Sequence, residues 1–322
     1  MDQTLSKFVG CLIGTAIGDS LGARREGSRD FVEIADLSPR YTDDTVLTIA
    51  VAESLIENGD FHYWHMAERF LKKYEQEPWR RYGHTLSRVF RLMRNGKLGF
   101  GMIDRDIYPE GSFGNGAPMR IAPVGLMYYD DPRTLRDIAY NCAGITHSHE
   151  LGLEGAALQA CAVALAVLAD PQDVRTTEFL GTLRMFAKPG PYQDKLKTII
   201  QMLGAEPTRE DVVAQLGTGA SSLESVSTAI YAFLSHRDFK SAVIYAVSLG
   251  GDADTIGAMT GAIAGAYYGI EGIPSQWRET VENREYLEQL GKKLWDVKMG
   301  YGKDEVDDAA DTAVGEAALE TP

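Results

Sequence analysis

Gly257, Gly261, Gly265 and Gly269 recur at intervals of four residues, with Ala258, Ala262, Ala264 and Ala266 standing among them. A four-residue interval keeps all four glycines on one face of an α-helix. Glycine weakens a helix at every interior position, so such a stripe requires a packing reason. The reason available is the close approach of a second helix backbone, which larger side chains would block. The stripe follows directly on Gly250-Gly251-Asp252-Ala253-Asp254-Thr255 and would hold that loop rigidly against the centre of a helical bundle.

The rest of the chain agrees with a helical body. Leu5, Phe8, Val9, Leu12 and Ile13 fall at three- and four-residue spacings, as do Leu47, Val51 and Leu55 ahead of a capping Asn58-Gly59. Similar patterns recur over residues 66–74, 135–143, 155–168, 212–216, 226–234 and 242–249. Strict period-two alternation is scarce, so no strand is placed and the expected fold is all-α. With 322 residues and 44% hydrophobic content the chain can bury a large core, and one domain is expected over residues 1–298. From 299 to 322 large apolar residues give way to Asp, Glu and Ala, which reads as a mobile acidic tail. Between Asn95 and Ala122 glycine and proline are frequent and helical spacing is lost. A loop of that length, expected to lie over the helical body, is of the kind that carries function.

Asp and Glu number 46 against 32 Lys and Arg, a net charge of −14. That balance argues against direct nucleic-acid binding or a membrane-surface role, so a phosphate-bearing ligand would need local devices such as metal ions or backbone N–H groups. Cys11, Cys142 and Cys161 have no metal-ligand spacing and make a poor disulfide framework. The N-terminal Met-Asp-Gln-Thr has no basic region, and the run from Ala160 to Ala169 is about half a membrane span. A cytoplasmic protein is expected.

Two expected helix starts carry paired carboxylates. Thr42-Asp43-Asp44-Thr45 opens the helix ending at Asn58, and Asp252-Ala253-Asp254-Thr255 opens the glycine-striped helix. Each by itself suits ordinary capping, since Thr and Asp satisfy exposed N–H groups and the helix dipole. Together they offer the oxygen-only ligand set that Mg²⁺, Mn²⁺ or Ca²⁺ prefers, and four converging carboxylates would require cations between them. Gly111-Ser112-Phe113-Gly114-Asn115-Gly116 lacks the residues of a P-loop, yet its glycines allow backbone N–H groups near a phosphate. Ser112 and Asn115 could add contacts there, and Phe113 a face for a base. An ordinary glycine-rich turn is the alternative. His147 and His149 have no third partner at zinc spacing, which leaves a hydrogen bond to phosphate or ribose, or a structural helix junction. Glu26, beside Arg24 and Arg25, reads alone as a solvated surface residue.

Taken in order, Gly18-Asp19-x-x-Gly22, Thr42-Asp43-Asp44-Thr45, Gly111 to Gly116, Thr146-His147 and Gly250 to Thr255 resemble the ADP-ribosylglycohydrolase family. The resemblance spans roughly residues 5 to 297. It is closest to the vertebrate type that cleaves serine-linked ADP-ribose and poly(ADP-ribose), through stretches such as Ala67 to Phe70, Gly155 to Ala160, Ser222 to Tyr231 and Ala262 to Gly269. It implies a compact orthogonal helical bundle and hydrolysis of the glycosidic bond joining ADP-ribose to its acceptor. Thr42, Asp43, Asp44, Asp252, Asp254 and Thr255 would then hold two Mg²⁺ ions, with Mn²⁺ able to substitute. Glu26, Asp43 and Asp44 would be catalytic, Glu26 as the glutamate that approaches metals and scissile bond. Ser112, Phe113, Gly114, Asn115 and His147 would bind ADP-ribose. The family's second aromatic wall for adenine has no clear counterpart, Ile107 standing there by count and Tyr108 beside it. Partners implied are ADP-ribosylated proteins or ADP-ribose conjugates. An arginine-linked substrate, a non-catalytic ADP-ribose-binding or structural protein, and a two-metal phosphoesterase are the competing readings.

Overall fold

The computed structural model describes residues 2–28, 30–31, 36–38, 40–96, 103–171 and 176–301. Among them fifteen α-helices follow one another, with no strand. The first four are α1 (Gln3–Gly22), α2 (Asp43–Asn58), α3 (Tyr63–Gln76) and α4 (His84–Arg94). After a long connection come α5 (Ala122–Met127), α6 (Pro132–Ala143), α7 (Glu150–Leu168), α8 (Thr176–Phe186), α9 (Pro191–Leu203) and α10 (Arg209–Leu216). The last are α11 (Ser222–Leu234), α12 (Phe239–Ser248), α13 (Ala253–Tyr268), α14 (Ser275–Thr280) and α15 (Arg284–Met299). Gly59 caps α2 at φ 70°, as the Asn58-Gly59 pair predicts. The acidic segment expected beyond α15 lies outside the described residues from 302 onward.

The glycine stripe of α13 meets its partner in α1, which carries Gly10, Gly14, Gly18 and Gly22 at the same interval. The pairing is antiparallel. A methyl group at Gly10 would lie 2.5 Å from the Gly265 carbonyl oxygen, one at Gly14 2.2 Å from that of Gly261, and one at Gly18 1.9 Å from that of Gly257. The far end of α1 closes on the first turn of α13, where the same test at Gly22 gives 2.2 Å to the Ala253 carbonyl. Gly269, the fourth member of the stripe read from the sequence, instead ends α13 at φ 70° and lies over Ser6.

Around this pair the body is buried on most sides. Helix α7 is long and apolar enough by length and composition to cross a membrane, yet it packs against α5, α6, α11 and α13 inside the protein. Its last turn is closed by Lys7 of α1, whose buried ammonium donates to the carbonyls of Ala166, Val167 and Ala169. The connection between Asn95 and Ala122 differs from its expectation. It holds two short 3-10 turns, Ile103–Asp106 and Pro118–Arg120, and its second half is inserted into the body with Ser112, Asn115, Ala117, Met119 and Arg120 buried. Its buried backbone is satisfied by other loops, including a single antiparallel bridge between Gly114 and Ser221.

The α1–α13 contact predicts a sharp asymmetry among glycine variants. Gly14→Ala should cost roughly 3 kcal/mol or more, because the clash is with backbone that cannot move aside. Gly181→Ala, in the interior of α8 with nothing within 4 Å of the added methyl, should be neutral or stabilise by about 0.5–1 kcal/mol. Urea denaturation of both variants checks this, and equal effects would remove the close approach as a determinant of stability.

Candidate active site

The α1–α13 pairing brings the last turn of α1 beside the first turn of α13. Asp19 sits in that last turn, wholly buried. Its carboxylate accepts from Thr42 N–H at 2.9 Å on both oxygens, from Thr45 N–H at 3.1 Å and from Thr45 Oγ1 at 2.6 Å. It therefore anchors the start of α2, supplying from another helix the acceptor that exposed N–H groups require. Burial pushes the Asp19 carboxyl up to about 6, partly offset by these donors.

Thr42 is the N-cap of α2, as the capping reading expects. Its Oγ1 also donates to Asp44 Oδ2 at 2.9 Å. Asp252 stands at the N-cap of α13, but its side chain caps nothing there. One oxygen, Oδ2, accepts from Asn115 Nδ2 at 2.6 Å instead. Asp43, Asp44 and Asp254 are all buried, and their proton affinities stand well above the usual carboxylate range. Burial is the largest cause for each. Beyond it, Asp43 feels the charges of Asp19, Asp252 and Glu26, Asp44 those of Asp19, Asp254, Asp43 and Asp252, and Asp254 those of Asp252, Glu26 and Asp19. The two remote acidic motifs thus converge.

These acids line a cavity of about 450 Å³ together with Glu26, Thr255, Ser112, Gly114, Asn115 and His147. A cavity of about 420 Å³ elsewhere is lined mainly by apolar side chains such as Leu165, Phe179, Phe233 and Tyr267, and lacks such a carboxylate cluster. Cations fit the acidic cavity on the protein's own chemistry. Asp44 Oδ1 is buried without a hydrogen-bond partner, and the cluster consists of hard oxygen donors. Among the described residues no three acids already stand as a coordinating group, and Asp44 Oδ2 and Asp252 Oδ2 are hydrogen-bonded to Thr42 and Asn115.

The glycine-rich loop supplies Ser112, Gly114, Asn115 and Gly116 to the same cavity. Ser112 Oγ accepts from Gly114 N–H at 3.3 Å, and Asn115 N–H donates to the Ala220 carbonyl at 3.0 Å. Asn115 ties this loop to Asp252, so its amide serves the scaffold as well as the cavity. Phe113 is 53% exposed and is not among the residues lining the cavity, its ring standing edge-on to His149 with centroids 5.7 Å apart. Ile107 packs against the core, while Tyr108 is exposed with its hydroxyl 3.1 Å from Thr85 Oγ1.

The two histidines stand in different places. His149 caps α7, its Nδ1 accepting from Leu151 N–H at 3.1 Å. His147 faces the cavity, and burial lowers its pKa to about 3, with Arg120 adding to the effect. Arg120, fully buried over the Phe70 ring, donates to Thr146 Oγ1 at 2.7 Å, and Thr146 Oγ1 lies 2.7 Å from His147 Nδ1. A Thr146 proton directed at Nδ1 would leave the ring proton on Nε2. His147 is in either tautomer a neutral ring facing the cavity.

Several positioning groups escape sequence reasoning. Asp19 lies in a quoted motif but has no partner visible in the chain. Asp104 is buried and accepts from Ser112 N–H at 2.6 Å and Ser148 N–H at 2.8 Å, joining the glycine-rich loop to the His147 turn. The segment Gly217–Ser222 grips both sides of the cavity, since its Thr218 carbonyl accepts from Asp252 N–H at 2.7 Å while its Ala220 carbonyl holds Asn115. Gly251 adopts φ 68° against Thr218, where a side chain would collide at 2.1 Å. An aspartate within a glycine-rich stretch is the one local signal that could have flagged Asp104.

With this geometry in hand, comparison with known proteins is decisive. The profile of the ADP-ribosylglycohydrolase family matches residues 1–303. The chain belongs to the ADP-ribosylglycohydrolase family. It is accordingly a hydrolase acting on glycosyl bonds. It is 34% identical to ADP-ribosylhydrolase ARH3 of Homo sapiens and of Bos taurus, over 91% of this chain and 93% of each relative. It is 23% identical to ADP-ribosylarginine hydrolase Tri1 of Pseudomonas putida, over 92% of this chain and 79% of that protein. A solved ADP-ribosylglycohydrolase-related protein complex superposes with a TM-score of 0.75 at 27% identity, covering 92% of this chain and 100% of that one. The all-α architecture is thus that of the ADP-ribosylglycohydrolase family.

The cluster's proton affinities predict a pH dependence. Asp19, Asp43, Asp44 and Asp254 hold protons in the folded chain that they release in the unfolded chain near the ordinary value of 3.8. Stability therefore falls as pH rises from 3.8 through about 6 for Asp19 and further for the others. In chelator-treated protein the melting temperature should drop between about pH 5 and about pH 8, and Asp44→Asn should flatten that decline. A melting temperature that climbs over this range would contradict the assigned directions.

Proposed function

We propose that this chain is a divalent-metal-dependent hydrolase that releases ADP-ribose by cleaving its glycosidic bond to an acceptor. The acceptor class is serine-linked ADP-ribose, with poly(ADP-ribose) and O-acetyl-ADP-ribose as related substrates. The observation that carries the reading is the convergence of Asp43, Asp44, Asp252 and Asp254 in one cavity, with a buried carboxylate oxygen left unpartnered. The greater identity to ADP-ribosylhydrolase ARH3 than to ADP-ribosylarginine hydrolase Tri1 weighs against arginine-linked ADP-ribose, and the serine-linked class rests on the sequence resemblance. A non-catalytic protein on this scaffold would have no physical use for four mutually repelling carboxylates.

Thr42, Asp43, Asp44, Asp252, Asp254 and Thr255 would hold two Mg²⁺ ions, or Mn²⁺ in their place. Such ions supply charge neutralisation and Lewis acidity toward sugar hydroxyls and water. The protein's own groups do the rest. His147 offers its neutral ring, and the loop at Ser112 to Gly116 offers backbone N–H groups, to the phosphates and ribose. Phe113 offers its exposed ring to adenine. Glu26, the carboxylate that comes from a loop rather than a helix start, handles the proton that passes between water and the leaving group. Three buried free cysteines, Cys11, Cys142 and Cys161, are consistent with a cytoplasmic setting.

Side-by-side incubation with serine-linked, arginine-linked and polymeric substrates tests the proposal, with release of intact ADP-ribose expected first from the serine-linked substrate. Appearance of AMP would indicate phosphoester cleavage and reject the reading. Asp254→Ala should abolish turnover in a protein that still folds, and calorimetric titration should show its Mg²⁺ affinity lost. Phe113→Ala should weaken ADP-ribose binding by about 1–2 kcal/mol if the ring stacks on the base.

A further inference from the structure

Arg81 stands in the connection between α3 and α4 with φ 63°, in the left-handed region that disfavours any residue with a side chain. Its Nη1 donates to the Ala23 carbonyl at 2.8 Å and to Glu26 Oε2 at 3.1 Å. The Arg81 and Glu26 side chains are 53% and 48% exposed, and an ion pair so open to water adds little to stability. A strained arginine holding a weak ion pair calls for an explanation other than folding.

The cavity supplies one. Among its lining residues Arg81 is the one lysine or arginine, set against Glu26, Asp43, Asp44, Asp252 and Asp254. Glu26 differs from the other four in its support. Backbone bonds hold its loop to the start of α13, with Gly27 N–H donating to the Gly251 carbonyl at 2.7 Å and Gly251 N–H to the Ser28 carbonyl at 2.8 Å. They fix the chain but leave the carboxylate able to rotate. Its charge acts unfavourably on Asp43 and Asp254, so repulsion alone would turn it out to solvent.

We propose that Arg81 is a positioning residue that latches the Glu26 carboxylate at the cavity rim, its guanidinium joined at once to the end of α1 and to Glu26. The inference rests on the proposed role of Glu26 in glycosidic hydrolysis. Both bonds leave one nitrogen, Nη1, and a lysine would keep the charge on a more flexible stem without the rigid plane that aims it. Glycine at this position suits the backbone and removes the latch, so Arg81→Gly separates positioning from folding.

The test is a double-mutant cycle with Glu26→Gln. Arg81→Gly should keep the wild-type melting temperature or exceed it. Its kcat should fall by about tenfold with KM within about twofold, as expected when a reacting group is misplaced rather than binding lost. In the Glu26→Gln background the same change should cost less than about twofold, and Arg81→Lys should recover only part of the loss. A full tenfold loss that persists with Glu26→Gln would overturn the latch, because Arg81 would then act on substrate or fold directly. A wild-type rate in Arg81→Gly would overturn it as well. A wild-type protein inactive on all three substrates would instead reject the functional reading, so the two failures are separately visible.

Discussion

Helices α1 and α13 meet backbone to backbone, and most of the site's geometry depends on that contact. Gly10, Gly14 and Gly18 face Gly265, Gly261 and Gly257, and Gly22 faces Ala253, at separations that no side chain permits. Because the helices run antiparallel, the end of one lies at the beginning of the other. That places Asp19 beside the loop that opens α13, and Asp19 in turn holds the start of α2 through the N–H groups of Thr42 and Thr45. One steric fact therefore brings three remote stretches of chain to a single point. A bulkier residue anywhere along the zipper would separate the acids before it exposed any core.

What converges there is unfavourable by itself. Buried carboxylates lose hydration and repel one another, and both effects raise the proton affinities of Asp43, Asp44 and Asp254. The surrounding fold supplies compensation only in part. Asp19 has four donor contacts from α2, and Asp252 has the Asn115 amide, while Asp44 Oδ1 has none. Such residual strain at a site held by rigid helix ends is the condition under which divalent cations bind well, since they relieve repulsion that packing has already fixed.

The rest of the cavity is built by loops that lock one another. Asp104 joins the glycine-rich loop to the His147 turn, and Gly217–Ser222 joins that loop to the Asp252 turn. Arg120, Thr146 and His147 form a chain of polar contacts that fixes the orientation of the imidazole ring. These links keep the donors of one wall at fixed distance from the acids of the other. On the proposed function, the orientation that a substrate needs would then be present before it binds.

The sequence by itself determined the helical class, since the spacing of Leu5 to Ile13 or of Leu47 to Leu55 records one face of a helix and nothing more distant is needed. It also determined the family, through motifs whose residue types and order were readable as they stand, and the glycine stripe announced a close helix contact. Those are local properties, written in intervals of three and four residues. Only the tertiary structure decided which helix fills the stripe, that Asp19 anchors α2, that Asn115 faces Asp252, and that Glu26 pairs with Arg81 rather than with its neighbours Arg24 and Arg25. It also separated His147, in the cavity, from His149, at a helix cap. The physical reason is range: a carboxylate's partner is set by where chain reversals bring together stretches 23, 55 or 137 residues apart, and no interval in the sequence encodes that meeting.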